Sequence, residues 1–237
     1  LARRAALLLT SSPAFVAHYF KPLSSVNLPT ELLENKVFAN EAIAPALAPQ
    51  RPDGPPWRIG WFGAIRCRKS LALLRELATR MDGKVEIILR GKPAYDVFDD
   101  FEKDVTTTPH LRFMGPYKNP DDLAQIYGEV HFTWAVDLFE EGQNSSWLLP
   151  NRIYEGGRYG SVPIALKDVE IGRLINGLGI GVPLKAFTAE ELADFFTSLT
   201  SFEYRRLAQN AMSVPAARWT ATTADCTALV KLLSELK

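Results

Sequence analysis

The chain holds 237 residues with 27 basic and 27 acidic side chains, so its formal net charge is zero, which speaks against a grip on nucleic-acid backbone. Hydrophobic residues make up 47% and charged ones 23%, a globular composition, and no apolar run reaches the roughly 18 residues that cross a bilayer. Two cysteines, Cys67 and Cys226, and the scattered His18, His110 and His131 exclude a disulfide framework, a cysteine-rich zinc site and an HExxH-type metal helix.

In chain order, residues 5–10 read as a buried strand or the end of a helix, and residues 13–20 open a helix behind Ser11 and Ser12. So short a segment buries little core of its own. Residues 1–44 are therefore expected to be the remnant of another domain and its hinge. The chain starts at Leu1 without a methionine or a leader-like stretch, and is expected to be a piece of something longer. Pro45, Pro49, Pro52, Pro55 and Pro56 then crowd with Asp53 and Gly54 into an extended linker over residues 45–57.

After the linker the pattern becomes regular. Residues 58–62 form a short apolar run that ends at Gly63, a buried strand followed by a tight turn. Residues 70–81 place Leu74, Leu77, Ala78 and Met81 at helical spacing. A strand over 85–89, a helix over 95–105 and a strand over 111–114 follow. Asn119-Pro120 reads as the start of a helix that reaches residue 127. Next come a strand over 130–136, a helix over 150–159, a strand over 162–166 and a short strand over 180–183. Thr188 with Glu191 reads as a capping box ahead of a helix that presents Leu192, Phe195, Phe196 and Leu199. Two helices finish the chain, 202–212 and 223–236, the last expected to turn Cys226, Leu229, Val230, Leu233 and Leu236 inward. Strands and helices alternating at this spacing predict a doubly wound α/β domain over residues 58–237, a parallel sheet with helices on both faces.

Ligands of such sheets lie at the carboxyl ends of the strands, where the strand order reverses, and four segments fall there. Residues 63–70 open on Gly63 and bring Arg66, Arg68 and Lys69 together. Glycine allows close backbone approach and the following helix offers free N–H groups, which suits a diphosphate; the alternative is a solvated basic turn. Arg90-Gly91-Lys92 repeats that basic, flexible chemistry one strand over. Gly115-Pro116-Tyr117 offers an aromatic ring to a nucleobase, or only to its neighbours in packing. The longest segment, 137–157, carries the small polar groups Asn144, Ser145 and Ser146, and then a helix opening near Pro150 with Asn151 and Glu155 on one face. A carboxylate on a helix whose N-terminus holds a phosphate is placed to accept hydrogen bonds from ribose hydroxyls. The alternative is a surface Glu155 paired with Arg152 or Arg158. Gly177-Leu178-Gly179-Ile180-Gly181 looks like a dinucleotide fingerprint but follows a helix rather than a strand, and Gly156-Gly157 is read as a close-packing device. Neither points to a nicotinamide enzyme.

The run from Pro150-Asn151-Arg152-Ile153-Tyr154-Glu155 through Gly160-Ser161-Val162-Pro163 resembles the donor-binding signature of GT-B glycosyltransferases of the family-four type. Glu155 matches the second glutamate of that family's Glu-x7-Glu motif, the one that binds the donor ribose. Residues 63–70 are similar to its glycine loop, with Lys69 at the diphosphate-contacting lysine and Arg66 supplying the arginine. The turn at Gly115-Pro116-Tyr117 and the helix after it look like the family's nucleobase region. The string Asn144-Ser145-Ser146-Trp147-Leu148-Leu149 is closest to polysaccharide-assembly members such as the succinoglycan-type transferases. Two departures stand out: Trp147 occupies the place of the first glutamate, leaving its sugar contact to Asn144, Ser145 or Ser146, and Ala64 occupies that of the loop arginine.

The resemblance implies the C-terminal, Rossmann-like donor-binding half of a GT-B fold with a remnant of the acceptor domain. It implies a retaining hexosyltransferase acting in the cytoplasm in exopolysaccharide biosynthesis, with a nucleoside-diphosphate sugar as donor and a saccharide or lipid-linked acceptor. No metal or other cofactor is expected. Lys69 and Arg66 would be catalytic, and Gly63, Arg90, Gly91, Tyr117, Asn144, Ser145, Ser146, Asn151 and Glu155 would bind the donor. No nucleic-acid partner is expected, and membrane contact would be peripheral, through the missing half. The isolated piece would bind donor but transfer poorly. The rival readings are a nucleotide-sugar-binding module without catalysis and a GT-B-like sugar-nucleotide epimerase.

Overall fold

The apolar runs of this chain settle into strands in a computed structural model that describes residues 4–24, 27–39 and 51–236. Residues 45–50 of the anticipated linker lie outside the described residues. Strand β4 (Trp57–Ile65) follows a first, smaller group of elements and is buried on both faces. Trp57, Ile59, Trp61 and Ile65 enter one apolar cluster, and Phe62 enters another. A strand sandwiched between two layers of helices reads this way, nearly continuously apolar rather than alternating. Beside it β5 (Val85–Pro93) runs parallel, in register from Trp57↔Val85 to Ile65↔Pro93. With β6 (Leu111–Phe113), β7 (Phe132–Trp134), β8 (Val162–Leu166) and β9 (Val182–Leu184) they form a six-stranded parallel sheet in the order β6-β5-β4-β7-β8-β9. The order reverses between β4 and β7. At such a reversal the loops after the two strands diverge and leave a crevice at the carboxyl edge.

Before the sheet, β1 (Leu8–Thr10) pairs in parallel with β2 (Thr30–Leu32) across a helical run α1, built from Pro13–Phe15, Val16–Phe20 and Lys21–Leu23. Strand β3 (Val37–Phe38) pairs with β10 (Thr220–Ala221) near the other end of the chain. Polar contacts carry this first segment onto the sheet domain. Asn35 donates to the carbonyl of Leu149 at 3.2 Å, and Glu34 accepts from the Tyr154 hydroxyl at 2.9 Å and from Arg218 at 2.8 Å.

Helix α2 (Arg68–Met81) begins where the Cys67 sulfur accepts from the Ser70 N–H, and it buries Leu71, Leu74, Leu77, Ala78 and Met81 against the sheet. The stretch expected as one helix over 95–105 is instead a 3-10 turn (Tyr95–Val97) and α3 (Phe101–Thr107), divided where Asp100 caps the Lys103 N–H. Asn119-Pro120 does not start a helix. α4 (Leu123–Gly128) begins later, and Asp122 spends its carboxylate on the Lys118 N–H. After β7 come the short α5 (Asn144–Trp147) and α6 (Asn151–Arg158), then α7 (Glu170–Gly177) behind β8. Helix α8 (Ala189–Ser198) carries only half of the expected capping box. Thr188 accepts from the Glu191 N–H, whereas the Glu191 carboxylate accepts from the N–H groups of Lys185 and Ala186. The complete boxes belong to α9 (Ser201–Ser213), with Thr200 and Glu203, and to α10 (Thr223–Ser234), with Thr222 and Asp225.

The inward face expected for α10 is a correction: none of its residues is buried, and Cys226, Val230, Leu233 and Leu236 are exposed. Helical spacing defines a face but not a surface to bury it against. The glycine readings hold. A Cβ on Gly156 would stand 2.5 Å from the Thr133 hydroxyl and one on Gly157 2.5 Å from the Trp219 ring, so α6 packs at glycine distance.

The residues just before β4 form a strap rather than a free connector. Arg51 is buried and donates to the Tyr204 hydroxyl at 2.6 Å and to the carbonyls of Tyr127 at 3.0 Å and Gly160 at 3.1 Å, pinning the strap to the ends of α4 and α6. Replacing Arg51 by leucine strands those carbonyls, and the cost is expected to be about 2 kcal/mol in urea unfolding.

Candidate functional site

The crevice at the reversal is a cavity of about 380 Å³. Its floor is the end of β4, where Gly63 takes φ 101° and leads through Ala64 to Arg66. Gly91, paired in register with Gly63, packs beneath it so closely that a Cβ would lie 1.9 Å from the Gly63 carbonyl oxygen. The Gly91 N–H in turn donates to the Gly115 carbonyl at 2.9 Å, so the last residues of β4 and β5 and the turn after β6 are stitched together without side chains in the way.

The chain leaving β7 brings Asp137 into the same cavity, almost wholly buried. Its Oδ1 accepts from the Ser145 hydroxyl at 2.7 Å and the Phe139 N–H at 3.1 Å. Its Oδ2 lies 3.5 Å from Arg152 and 3.8 Å from Arg66. Burial pushes the Asp137 pKa up, but Arg152, these hydrogen bonds and Arg66 outweigh it and hold the group below the usual carboxylate range. Arg152 is itself buried. It donates to the Val136 carbonyl at 3.0 Å, yet its Nε has no partner among the described residues. Burial lowers its pKa, while Asp137 works in the opposite direction. Two guanidinium groups around one carboxylate leave this wall with a surplus positive charge. Pro150 and Asn151, at the N-terminus of α6, line the cavity beside it, and no side chain caps that helix end. Uncapped N–H groups and a surplus cation together make an anion site.

Glu155 faces the cavity one turn further along α6. It is 4% exposed, and its oxygens accept from Asn119 at 2.9 Å and from the Tyr127 hydroxyl at 2.8 Å. Burial raises its pKa against the lowering effect of Tyr127, Arg152 and Asn119. The surface pairing with Arg152 or Arg158 considered from the sequence is not its arrangement. Tyr117 lines the same cavity, its phenol pushed well above the ordinary range by burial and by Glu155.

Six of the sequence candidates thus meet in one cavity: Gly63, Arg66, Tyr117, Asn144, Asn151 and Glu155. Others sit elsewhere. Lys69 is already in the first turn of α2, rotated outward, and pairs with Glu141 on the surface. Arg90 lies in β5 opposite Phe62, outside the cavity lining, with its Nε buried and without a partner among the described residues. Ser145 serves Asp137, and the Ser146 hydroxyl accepts from the Gly142 N–H at 3.2 Å, so both face their own loop. Four residues of the site escaped the sequence reading: Asp137, Arg152, Asn119 and Tyr127. Only Asp137 carried a usable signal, as the first polar residue after a strand at the reversal. Ala64 lines the cavity beside Arg66, whose guanidinium stacks 4.9 Å over the Phe139 ring. Among the described residues, no group of three or more His, Cys, Asp and Glu could hold a metal ion, and no helix is long and apolar enough to cross a membrane.

Comparison with known proteins brings three findings. No family model matches the chain. The succinoglycan biosynthesis protein ExoL of Rhizobium meliloti (strain 1021) is 51% identical over 242 residues, covering all of this chain, and the chain spans 60% of that relative's length. Among solved structures, Anabaena Alr3699/HepE in complex with UDP superposes with a TM-score of 0.73 at 16% identity, covering 99% of this chain and 65% of that one. The C-terminal domain of a glycosyl transferase group 1 family protein (LpcC) from Francisella tularensis superposes with a TM-score of 0.54 at 18% identity, covering 69% of this chain and 86% of that one.

Proposed function

We propose that this chain, 51% identical over its whole length to a succinoglycan biosynthesis protein, is the donor-binding half of a GT-B glycosyltransferase and holds a UDP-sugar for transfer to a saccharide in exopolysaccharide assembly. The observation that carries the reading is the convergence of Arg66, Arg152, the α6 N-terminus and Glu155 on one crevice at the strand-order reversal. The diphosphate lies over Gly63 and the open end of α6, where Arg66 and Arg152 neutralise it. The ribose reaches Glu155, whose two oxygens, already oriented by Asn119 and Tyr127, each keep a lone pair for a hydroxyl. UDP is the choice of donor nucleotide because HepE, which shares the fold, is solved with it. A nucleotide donor also supports a cytoplasmic reaction.

In the transfer itself, the bond between the anomeric carbon and the phosphate oxygen breaks while the acceptor hydroxyl oxygen bonds to that carbon with retention. The acceptor's proton goes to the leaving phosphate oxygen. The negative charge growing on that oxygen is what Arg66, Arg152 and the helix amides stabilise, without a metal. Lys69, outside the cavity lining, is proposed as an auxiliary cation that turns to the diphosphate after exchange of Glu141 for phosphate. A binding module without catalysis is the second reading, favoured by Trp147 at the position of the first motif glutamate; a radiolabel transfer assay separates it.

Calorimetry tests the donor reading. UDP at 100 times its dissociation constant should add about 2.7 kcal/mol to the unfolding free energy. Glu155→Gln should weaken UDP about tenfold, through its ribose, and leave pyrophosphate affinity unchanged. Because burial raises the Glu155 pKa, UDP affinity should begin to fall with decreasing pH earlier than an ordinary carboxylate would dictate. Failure of UDP and UDP-sugars to bind overturns the reading.

A further inference from the structure

Phe139, in the loop after β7, is a large aromatic side chain left 45% exposed. It enters none of the apolar clusters of the described residues and does not line the donor crevice. Its backbone is nonetheless fixed. The Phe139 N–H donates to Asp137 Oδ1 at 3.1 Å, beside the Ser145 hydroxyl, which donates to the same oxygen at 2.7 Å. The next N–H, that of Glu140, donates to the Ser145 hydroxyl oxygen at 2.8 Å, which closes the loop into a knot. This knot sets the Phe139 ring against the residue just beyond β4: the Arg66 guanidinium lies over it, 4.9 Å from the ring centroid. Arg66 lines the crevice, its side chain is 39% exposed, and its ion-pair partner Asp137 stands 3.8 Å away, outside hydrogen-bond range.

We propose that Phe139 is a positioning residue for the donor: its ring holds the Arg66 guanidinium flat, so that the N–H edge faces the diphosphate before the ligand arrives. The proposal rests on the donor reading above. A half-exposed arginine samples many rotamers, and ordering it on binding subtracts from affinity. Asp137 attracts the charge at 3.8 Å but does not fix the plane of the group. A ring does, because a guanidinium lies favourably over an aromatic face. The ring also carries no acceptor, so the guanidinium N–H groups stay free for phosphate oxygens. Lys69 shows the contrast. Its partner Glu141 competes with phosphate and must be displaced, whereas the Phe139 ring stays in place when the ligand binds.

Calorimetry of the chain with UDP and with pyrophosphate tests this. Phe139→Leu keeps the apolar bulk and removes the ring face; it should weaken both ligands about fivefold. Glu155→Gln, by comparison, should weaken UDP alone. Phe139→Trp, which restores a ring face, should bind both ligands at least as tightly as the unaltered chain. In an Arg66→Gln background, Phe139→Leu should change neither affinity further, the non-additivity of a residue that acts only through Arg66. The urea midpoint of Phe139→Leu should match that of the unaltered chain, since the ring is outside the core. Unchanged UDP affinity in Phe139→Leu, weakened binding in Phe139→Trp, or additive losses in the double variant overturn the positioning role and leave the donor reading standing. A lowered urea midpoint in Phe139→Leu would assign the ring to supporting its own loop and likewise overturn it. Failure of UDP to bind the unaltered chain would instead strike the donor reading.

Discussion

Arg152→Met should cost about 3–5 kcal/mol of stability and at least about 100-fold in UDP affinity. The stability loss follows from Asp137. That carboxylate is buried and ionised; without Arg152 its remaining cation is Arg66, 3.8 Å away and half open to solvent. Removing one partner of a buried pair leaves the other charge uncompensated, which costs more than the pair was worth. The affinity loss has a different origin. The wall changes from a surplus positive charge to neutrality, and the unspent Nε donor disappears. The two effects separate in the double variant Arg152→Met with Asp137→Leu. Its stability should return most of the way to that of the unaltered chain in urea denaturation, while UDP binding recovers only in part, because Arg66 alone restores the net charge of the wall but the Arg152 donors stay missing. If the double variant binds UDP as tightly as the unaltered chain, Arg152 has no part in holding the diphosphate.

Acid should weaken the fold by about 3 kcal/mol between pH 6.5 and pH 4 through one residue, His131. His131 is fully buried at the start of β7, between Trp57 and Tyr204. Its Nδ1 accepts from the Arg58 N–H at 2.9 Å, so its Nε2 carries the proton and donates to the Pro52 carbonyl at 2.8 Å. Burial pushes its pKa down to about 4; the Pro52 carbonyl opposes this, and Arg51 and Arg58 add to it. In the unfolded chain the ring titrates near 6.5. Below that pH the unfolded chain binds a proton that the folded chain refuses until about pH 4, so stability is complete above 6.5 and is lost as pH falls through this window. Urea midpoints measured across the window should decline for the unaltered chain and stay flatter for His131→Gln, whose amide can still donate to Pro52. Because Pro52 adjoins Arg51, protonation would also loosen the strap that holds the Tyr127 carbonyl, and Tyr127 is one of the two groups that orient Glu155.

Much of this architecture was legible in the residues themselves. The parallel sheet follows from strands such as 59–62 and 162–166, without a charged residue, alternating with helices such as 70–81 whose burial repeats at 3.6. Glycines at close approaches, Gly91 against the Gly63 backbone and Gly156 against the Thr133 side chain, are local necessities that leave a visible mark. Glu155 and Arg66 were legible for the same reason, as charged residues where a strand ends or a helix begins.

What escaped depended on partners distant in the chain. Asn119 looks like a helix start and Tyr127 like a helix end until the fold brings both to Glu155, 36 and 28 residues away. Lys69 reads as one more cation of the loop, and only the rotation of the first turn of α2 sends it to Glu141. The apolar stripe of α10 is real, but a stripe does not say which surface covers it.

The order of the elements and the basic and acidic character of the strand ends were thus determined by the sequence alone, because each rests on local periodicity and residue type. The convergence of two arginines, an aspartate and a glutamate on one cavity was decided only by the tertiary structure. Desolvation and charge pairing depend on distances through space, and no spacing along the chain encodes them.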